Sequence, residues 1–140
     1  MKGYEMIVGY HIIFGAYGFW LPNDPRGSWS TFVGSWDLFR YGTATKISST
    51  QSVASRQHDQ ALRQNTKNAL KYTPVIFDGL QARAVARGFA QYADRSGLRV
   101  FACAILPDHV HLVVGMFKLK VEQLVIQLKG EASQELSRTA

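Results

Sequence analysis

Two apolar runs meeting at a two-residue reversal constrain this chain more than any other feature. Leu98–Leu106 is strand-like, Pro107-Asp108 follows, and His109–Met116 alternates again. Proline presets φ for the second residue of a tight turn, and aspartate suits the third. The stretch therefore reads as a β-hairpin, with His109 and His111 opening its second strand beside the turn. Alternate side chains of a strand share a face, so the two histidines project together and Val110 points away. Their Cα atoms are expected about 6.5–7 Å apart. That spacing lets both imidazoles converge on one metal ion or one phosphate. The plain alternative is a pair of half-buried histidines on a solvated sheet face.

The rest of the chain supplies partners for such a hairpin. Met6–Phe19 reads as a long first strand, rich in β-branched and aromatic residues and interrupted by Gly9, Gly15 and Gly18. Trp20–Trp29 holds Pro22, Asn23, Asp24, Pro25 and Gly27, the composition of an ordered loop. Its aromatic neighbourhood suits either a small hydrophobic cluster or a stacking surface for unpaired bases. Arg26, between Pro25 and Gly27, is the loop's candidate ligand contact. A short helix fits Ser55–Tyr72, ended by Thr73-Pro74. Asp78-Gly79-Leu80-Gln81 has the form of a capping box. It predicts a helix to Ser96, stopped by Gly97, with Leu80, Val85, Phe89 and Tyr92 on its apolar face. A last helix is predicted from about Leu119, striped by Val121, Leu124, Val125, Leu128, Ala132 and Leu136.

The order is thus strand, long insertion, helix, strand, strand, helix. This is an α+β class chain with a ferredoxin-like split βαβ antiparallel sheet, helices on one face, and no closing strand. In that layout the first strand lies beside the histidine-bearing third strand, and His11 becomes a candidate neighbour of the pair. At 140 residues the chain is expected to form one domain, 1–140, with the insertion at approximately 20–76.

Charge narrows the partners. The net charge is +6, and between Leu38 and Phe77 six basic residues accompany the single acid Asp59. Arg56 and Arg63 in that segment, with Lys118, Lys120 and Lys129 around the last helix, are candidate phosphate contacts. A merely solvated basic face is the competing reading. No apolar run reaches the length of a membrane span, and no signal peptide is read at Met1–Glu5. The lone Cys103 is expected to be a small core residue, unable to form an internal disulfide. A cytoplasmic location is the default expectation.

With these elements placed, the chain resembles the single-tyrosine HUH transposases of the insertion-sequence-200 type and their REP-associated relatives. The carrying residues are Leu106-Pro107-Asp108-His109-Val110-His111-Leu112-Val113. They are similar to that family's Pro-Asn/Asp-His-Val-His signature. Gly9-Tyr10-His11-Ile12-Ile13-Phe14 resembles its first strand, and Leu128-Lys129-Gly130 its phosphate-facing helix. The likeness covers both ends of the chain, with 40–76 the least diagnostic part.

The resemblance implies a mechanism. His109 and His111 would be the catalytic pair and the metal ligands for Mg²⁺ or Mn²⁺. Single-stranded or hairpin DNA would be cleaved and rejoined through a phosphotyrosine. It also implies a third protein ligand on a tyrosine-bearing helix, and a homodimer. The chain departs from the pattern in one respect: no tyrosine follows His111. The closing strand and tyrosine helix are therefore expected to be missing, and the nucleophile is unassigned. An unpaired edge on the first strand would invite a second copy. Two readings follow, a transposase domain that cleaves DNA when complete and a remnant that binds DNA hairpins without cutting. An RNA-binding module would need exposed aromatics on the central strands, where this chain places histidines and valines. A plain structural domain fits the basic insertion poorly.

Overall fold

The computed structural model describes residues 6–22, 24, 36–42 and 55–139. These form two compact units, one of 1–15 with 76–140 and one of 16–75.

The first unit is a β-α-β-β-α arrangement. It comprises β1 (Gly9–Gly15), α3 (Gly79–Ser96), β2 (Val100–Ile105), β3 (His109–Gly115) and α4 (Val121–Thr139). The second unit contributes α1 (Trp36–Phe39) and α2 (Gln60–Asn68). The sheet has the order β1-β3-β2, and both pairings are antiparallel. The hairpin β2–β3 is thus split from β1 by sequence but joined to it in space, which is the split βαβ layout of a ferredoxin-like α+β fold. β1 is shorter than the strand expected at Met6–Phe19. Its register with β3 runs from Gly9 opposite Gly115 to Gly15 opposite His109, so the seven residues of β3 limit what β1 can pair with.

Alternation divides the sheet into two faces. Ile12 and Phe14 of β1, with Val110, Leu112 and Val114 of β3, are buried against the helices. Val85, Phe89 and Tyr92 of α3 and Leu124, Leu128 and Ala132 of α4 complete that core. His11, Ile13, His109, His111 and Val113 occupy the opposite register positions, and all are half-buried or exposed.

Local chemistry sets the helices. Asp78 accepts from the Gln81 backbone at 2.8 Å while Gln81 Oε1 accepts from the Asp78 backbone at 3.0 Å, completing the expected capping box. Gly97 ends α3 at φ 76°, the left-handed conformation that glycine adopts without a Cβ penalty. Arg87 lies near Glu135 and Arg95 near Glu131, so α3 and α4 run antiparallel. They meet at Gly88. A Cβ there would lie 2.8 Å from the Glu131 carbonyl oxygen, so only glycine permits this approach.

Two expected core positions fall elsewhere. Leu80 is 78% exposed, because it lies a poor helical interval from the Val85, Phe89 and Tyr92 stripe. Cys103 is exposed rather than buried, because β2 is an edge strand whose residues are exposed from Val100 to Ala104. A register shift between Val100 and Ala102 sets Phe101 out of the pairing, and its ring is exposed.

In the second unit, α2 is shorter than the predicted Ser55–Tyr72 helix. Asp59 caps it by accepting from the Leu62 backbone at 2.9 Å. The Tyr17 hydroxyl accepts from the Tyr72 backbone at 3.3 Å, and the Val75 backbone donates to the Tyr17 carbonyl at 2.9 Å. No helix among the described residues is long and apolar enough to cross a membrane.

Candidate functional site

The hairpin turn delivers the site. The Leu106 backbone donates to the His109 carbonyl at 2.8 Å, closing the two-residue reversal at Pro107-Asp108. His109 therefore enters β3 immediately beyond the turn, and His111 follows two residues later on the same face. Their ring centroids are 5.0 Å apart with planes at 64°. The His109 side chain retains 19% exposure, so the ring is accessible but held.

Each ring is anchored through Nδ1. Asp108 Oδ1 lies 2.7 Å from His109 Nδ1. His11 Nε2 lies 3.0 Å from His111 Nδ1. The second contact follows from the register: His11 faces Val113 and Ile13 faces His111, making His11 and His111 diagonal neighbours on one face. Their ring centroids are 5.2 Å apart with planes 26° apart, so the rings meet edge to edge through these nitrogens. Partial burial, then the neighbouring His109 and His11, lowers the pKa of His111 below its usual 6.5 and favours the neutral ring that a metal requires. Nδ1 anchoring at both positions means that metal ligation would go through Nε2 at both.

The comparison with protein families decides the assignment. The family described as "Transposase IS200 like" matches residues 68–140, a little over half of the chain. The chain belongs to this transposase family. No curated protein matches it, and no solved structure does. A transposase role follows from membership in the IS200-like family, and the matched region contains α3, the hairpin and α4.

The remaining expected contacts of this IS200-like chain fall on different elements. Lys118 and Lys120 follow the far end of β3, about 20 Å along the strand from His109 at about 3.3 Å per residue. Lys129 returns along α4, and its Nζ sits 5.5 Å from the Phe14 ring on the helical side of the sheet. In the second unit Arg56 is exposed. Arg63 of that unit pairs with the buried carboxylate of Asp24 at 3.7 Å, an acidic partner from outside its own basic segment. Arg26 lies outside the described residues, as do Trp29 and Phe32 among the neighbouring aromatics.

From sequence, Asp108 reads as a turn former only. The signal for its second task is its place directly before a histidine. Glu135 is a further residue that the sequence does not single out. It occupies the apolar stripe of α4 at 4% exposure, with Arg87 3.8 Å away and Arg138 also paired to it. Among the described residues no group of three or more metal-ligating side chains converges. Tyr10 shares the register of Ile12 and Phe14, and Tyr92 is buried on α3, so neither stands on the imidazole face.

Proposed function

We propose that the imidazole face binds single-stranded or hairpin DNA at a phosphate, with Mg²⁺ or Mn²⁺ held between His109, His111 and the nucleic acid. The observation that carries this reading is the shared face of the two rings, each with Nδ1 already engaged. Two imidazoles are an incomplete set, and they suit Mn²⁺ better than Mg²⁺, which prefers oxygen. Phosphate oxygens and water would supply the other positions, as is usual for such ions. When bound, the ion would polarise a phosphoryl oxygen and stabilise the leaving 3′ oxygen.

His109 and His111 orient the phosphate at the turn end of β3. Lys129, on the neighbouring helix, adds positive charge near the same end of β1. DNA cleavage and rejoining through a phosphotyrosine are part of the proposal, with the tyrosine unassigned. The second reading is hairpin binding without cleavage. It is favoured by the absence, among the described residues of this unit, of a tyrosine on the imidazole face. The outer edge of β1 is proposed as the place where a second copy pairs.

The deciding experiment is calorimetric titration with Mn²⁺. His109→Ala combined with His111→Ala should abolish binding while the circular dichroism of the fold is retained. Equal Mn²⁺ binding in the double variant would defeat the assignment. A denaturing gel after incubation with DNA hairpins separates the two readings: a covalent adduct supports cleavage, and its absence supports binding alone.

A further inference from the structure

The contact between His11 and His111 bears on how this face prepares itself for a metal. An imidazole ligates through a nitrogen that carries no proton, and the hydrogen bond at its other nitrogen decides which one that is. His111 Nδ1 lies 3.0 Å from His11 Nε2, and the ring centroids are 5.2 Å apart, so the two nitrogens face each other. Two arrangements satisfy that contact. If His111 donates from Nδ1, its Nε2 presents a lone pair toward the open face. If His11 donates from Nε2, a neutral His111 carries its proton on Nε2 and cannot ligate there.

We infer that His11 is a positioning residue: its Nε2 accepts from His111 Nδ1 and so holds His111 in the tautomer whose Nε2 can take a metal. The inference rests on the metal reading proposed above.

Three observations support it. First, the nitrogens are 3.0 Å apart and the ring centroids 5.2 Å apart, so both nitrogens lie close to the line between the rings and point at each other, not at a common third point. That geometry is unsuited to both of them ligating one ion. Second, the His109 ring is engaged in the same way, by Asp108 Oδ1 at its Nδ1. The two rings of the pair are thus served by equivalent supports from different elements, a carboxylate on the turn and an imidazole on the adjacent strand. Third, His11 is exposed on β1 and contributes nothing to the apolar core, so its ring is not explained by packing.

The test uses the full chain and two variants. His11→Phe keeps a flat ring but removes the acceptor. His11→Gln places a carboxamide oxygen where Nε2 stood. Long-range ¹⁵N–¹H spectra of the metal-free protein report the tautomer of His111 directly. Wild type and His11→Gln should show His111 protonated at Nδ1, and His11→Phe should show loss of that preference. Mn²⁺ affinity should fall about 10–100-fold in His11→Phe and recover in His11→Gln.

An unchanged His111 tautomer in His11→Phe would overturn the inference. So would a loss in His11→Phe as complete as in His111→Ala that glutamine fails to rescue, because His11 would then itself be a ligand. If wild type binds no Mn²⁺, the metal reading fails, yet the tautomer spectra still decide whether His11 sets the ring state.

Discussion

Asp108 holds the ring of His109, its Oδ1 lying 2.7 Å from Nδ1. The residue that reverses the hairpin therefore also supports the first histidine of the pair. A carboxylate behind a ligating imidazole fixes the ring and raises its basicity. Asp108→Ala should weaken Mn²⁺ binding by about 10–100-fold. Asp108→Asn should retain most of it, since the carboxamide oxygen still accepts from Nδ1 and asparagine still suits the turn. Calorimetric titration compares the three proteins, and wild-type affinity in Asp108→Ala would show that the contact supports nothing.

Gly88 governs the contact of α3 with α4. Replacing it by alanine raises helix propensity by about 1 kcal/mol. The added methyl, however, would stand 2.8 Å from the Glu131 carbonyl and 2.9 Å from the Ala132 nitrogen, both backbone atoms that cannot rotate aside. Overpacking of this kind costs about 1–3 kcal/mol. Gly88→Ala should therefore lower stability despite its better propensity, and Gly88→Val should lower it more. Urea unfolding at a common pH measures both, and a stabilised Gly88→Ala would contradict the packing described for the two helices.

The parts of the fold legible in the sequence are those set by neighbouring residues. Asp78, Gln81 and Gly97 act through local contacts at the two ends of α3, so its limits can be read before any tertiary contact is known. Pro107-Asp108 works the same way, and it places His109 and His111 on one face by strand alternation alone. The misread residues depend on distant partners. Cys103 lies in an apolar run, but whether β2 is central or at an edge is decided by where β1 docks. The limits of β1 are set by the length of β3, not by its own apolar residues. The His11–His111 contact needs the β1–β3 register, which no short motif contains. Glu135 occupies a stripe position where an apolar residue is expected, and only Arg87 and Arg138 explain it.

That Glu135 cluster behaves asymmetrically. The carboxylate is 4% exposed, whereas the side chains of Arg87 and Arg138 remain 46% and 64% exposed. Removing the acid frees two guanidiniums that water already reaches. Removing both bases strands a buried charge, which is costly. Arg87→Ala combined with Arg138→Ala should therefore destabilise the protein more than Glu135→Leu, which fills the stripe with an apolar group. Thermal unfolding of the two proteins ranks them, and the reverse order would mean that the ion pairs outweigh the packing gained by leucine.

His111 makes stability depend on pH in a defined direction. Partial burial first, then His109 and His11, depresses its pKa below 6.5 in the folded chain. The unfolded chain then binds more protons in the interval below 6.5, so stability rises with pH there. The contribution is fully present above about 6.5 and is lost as pH falls through the folded value. His111→Asn removes this dependence. The stability gap between wild type and that variant should be wider at neutral pH than at mildly acid pH. Urea unfolding at both values checks it, and a gap that widens on acidification would mean that the protonated ring is the favoured one.

DNA binding should be salt-dependent in a way that locates the phosphates. Each neutralised phosphate of a single strand contributes about −0.7 to the slope of log K against log salt. Lys129 lies toward the turn end of β1, its Nζ 5.5 Å from the Phe14 ring, while Gly15 at that end faces His109 across the sheet. Lys118 and Lys120 follow the opposite end of β3. If DNA lies over the imidazoles and passes the end of β1, Lys129→Ala should reduce the slope by about one phosphate's worth, with little change among DNA sequences. The double variant Lys118→Ala/Lys120→Ala should change it less. Fluorescence anisotropy of a labelled DNA hairpin over a salt series measures both. A larger effect of the double variant would move the path of the backbone toward the far end of the sheet, and a slope of zero in wild type would remove nucleic acid from consideration.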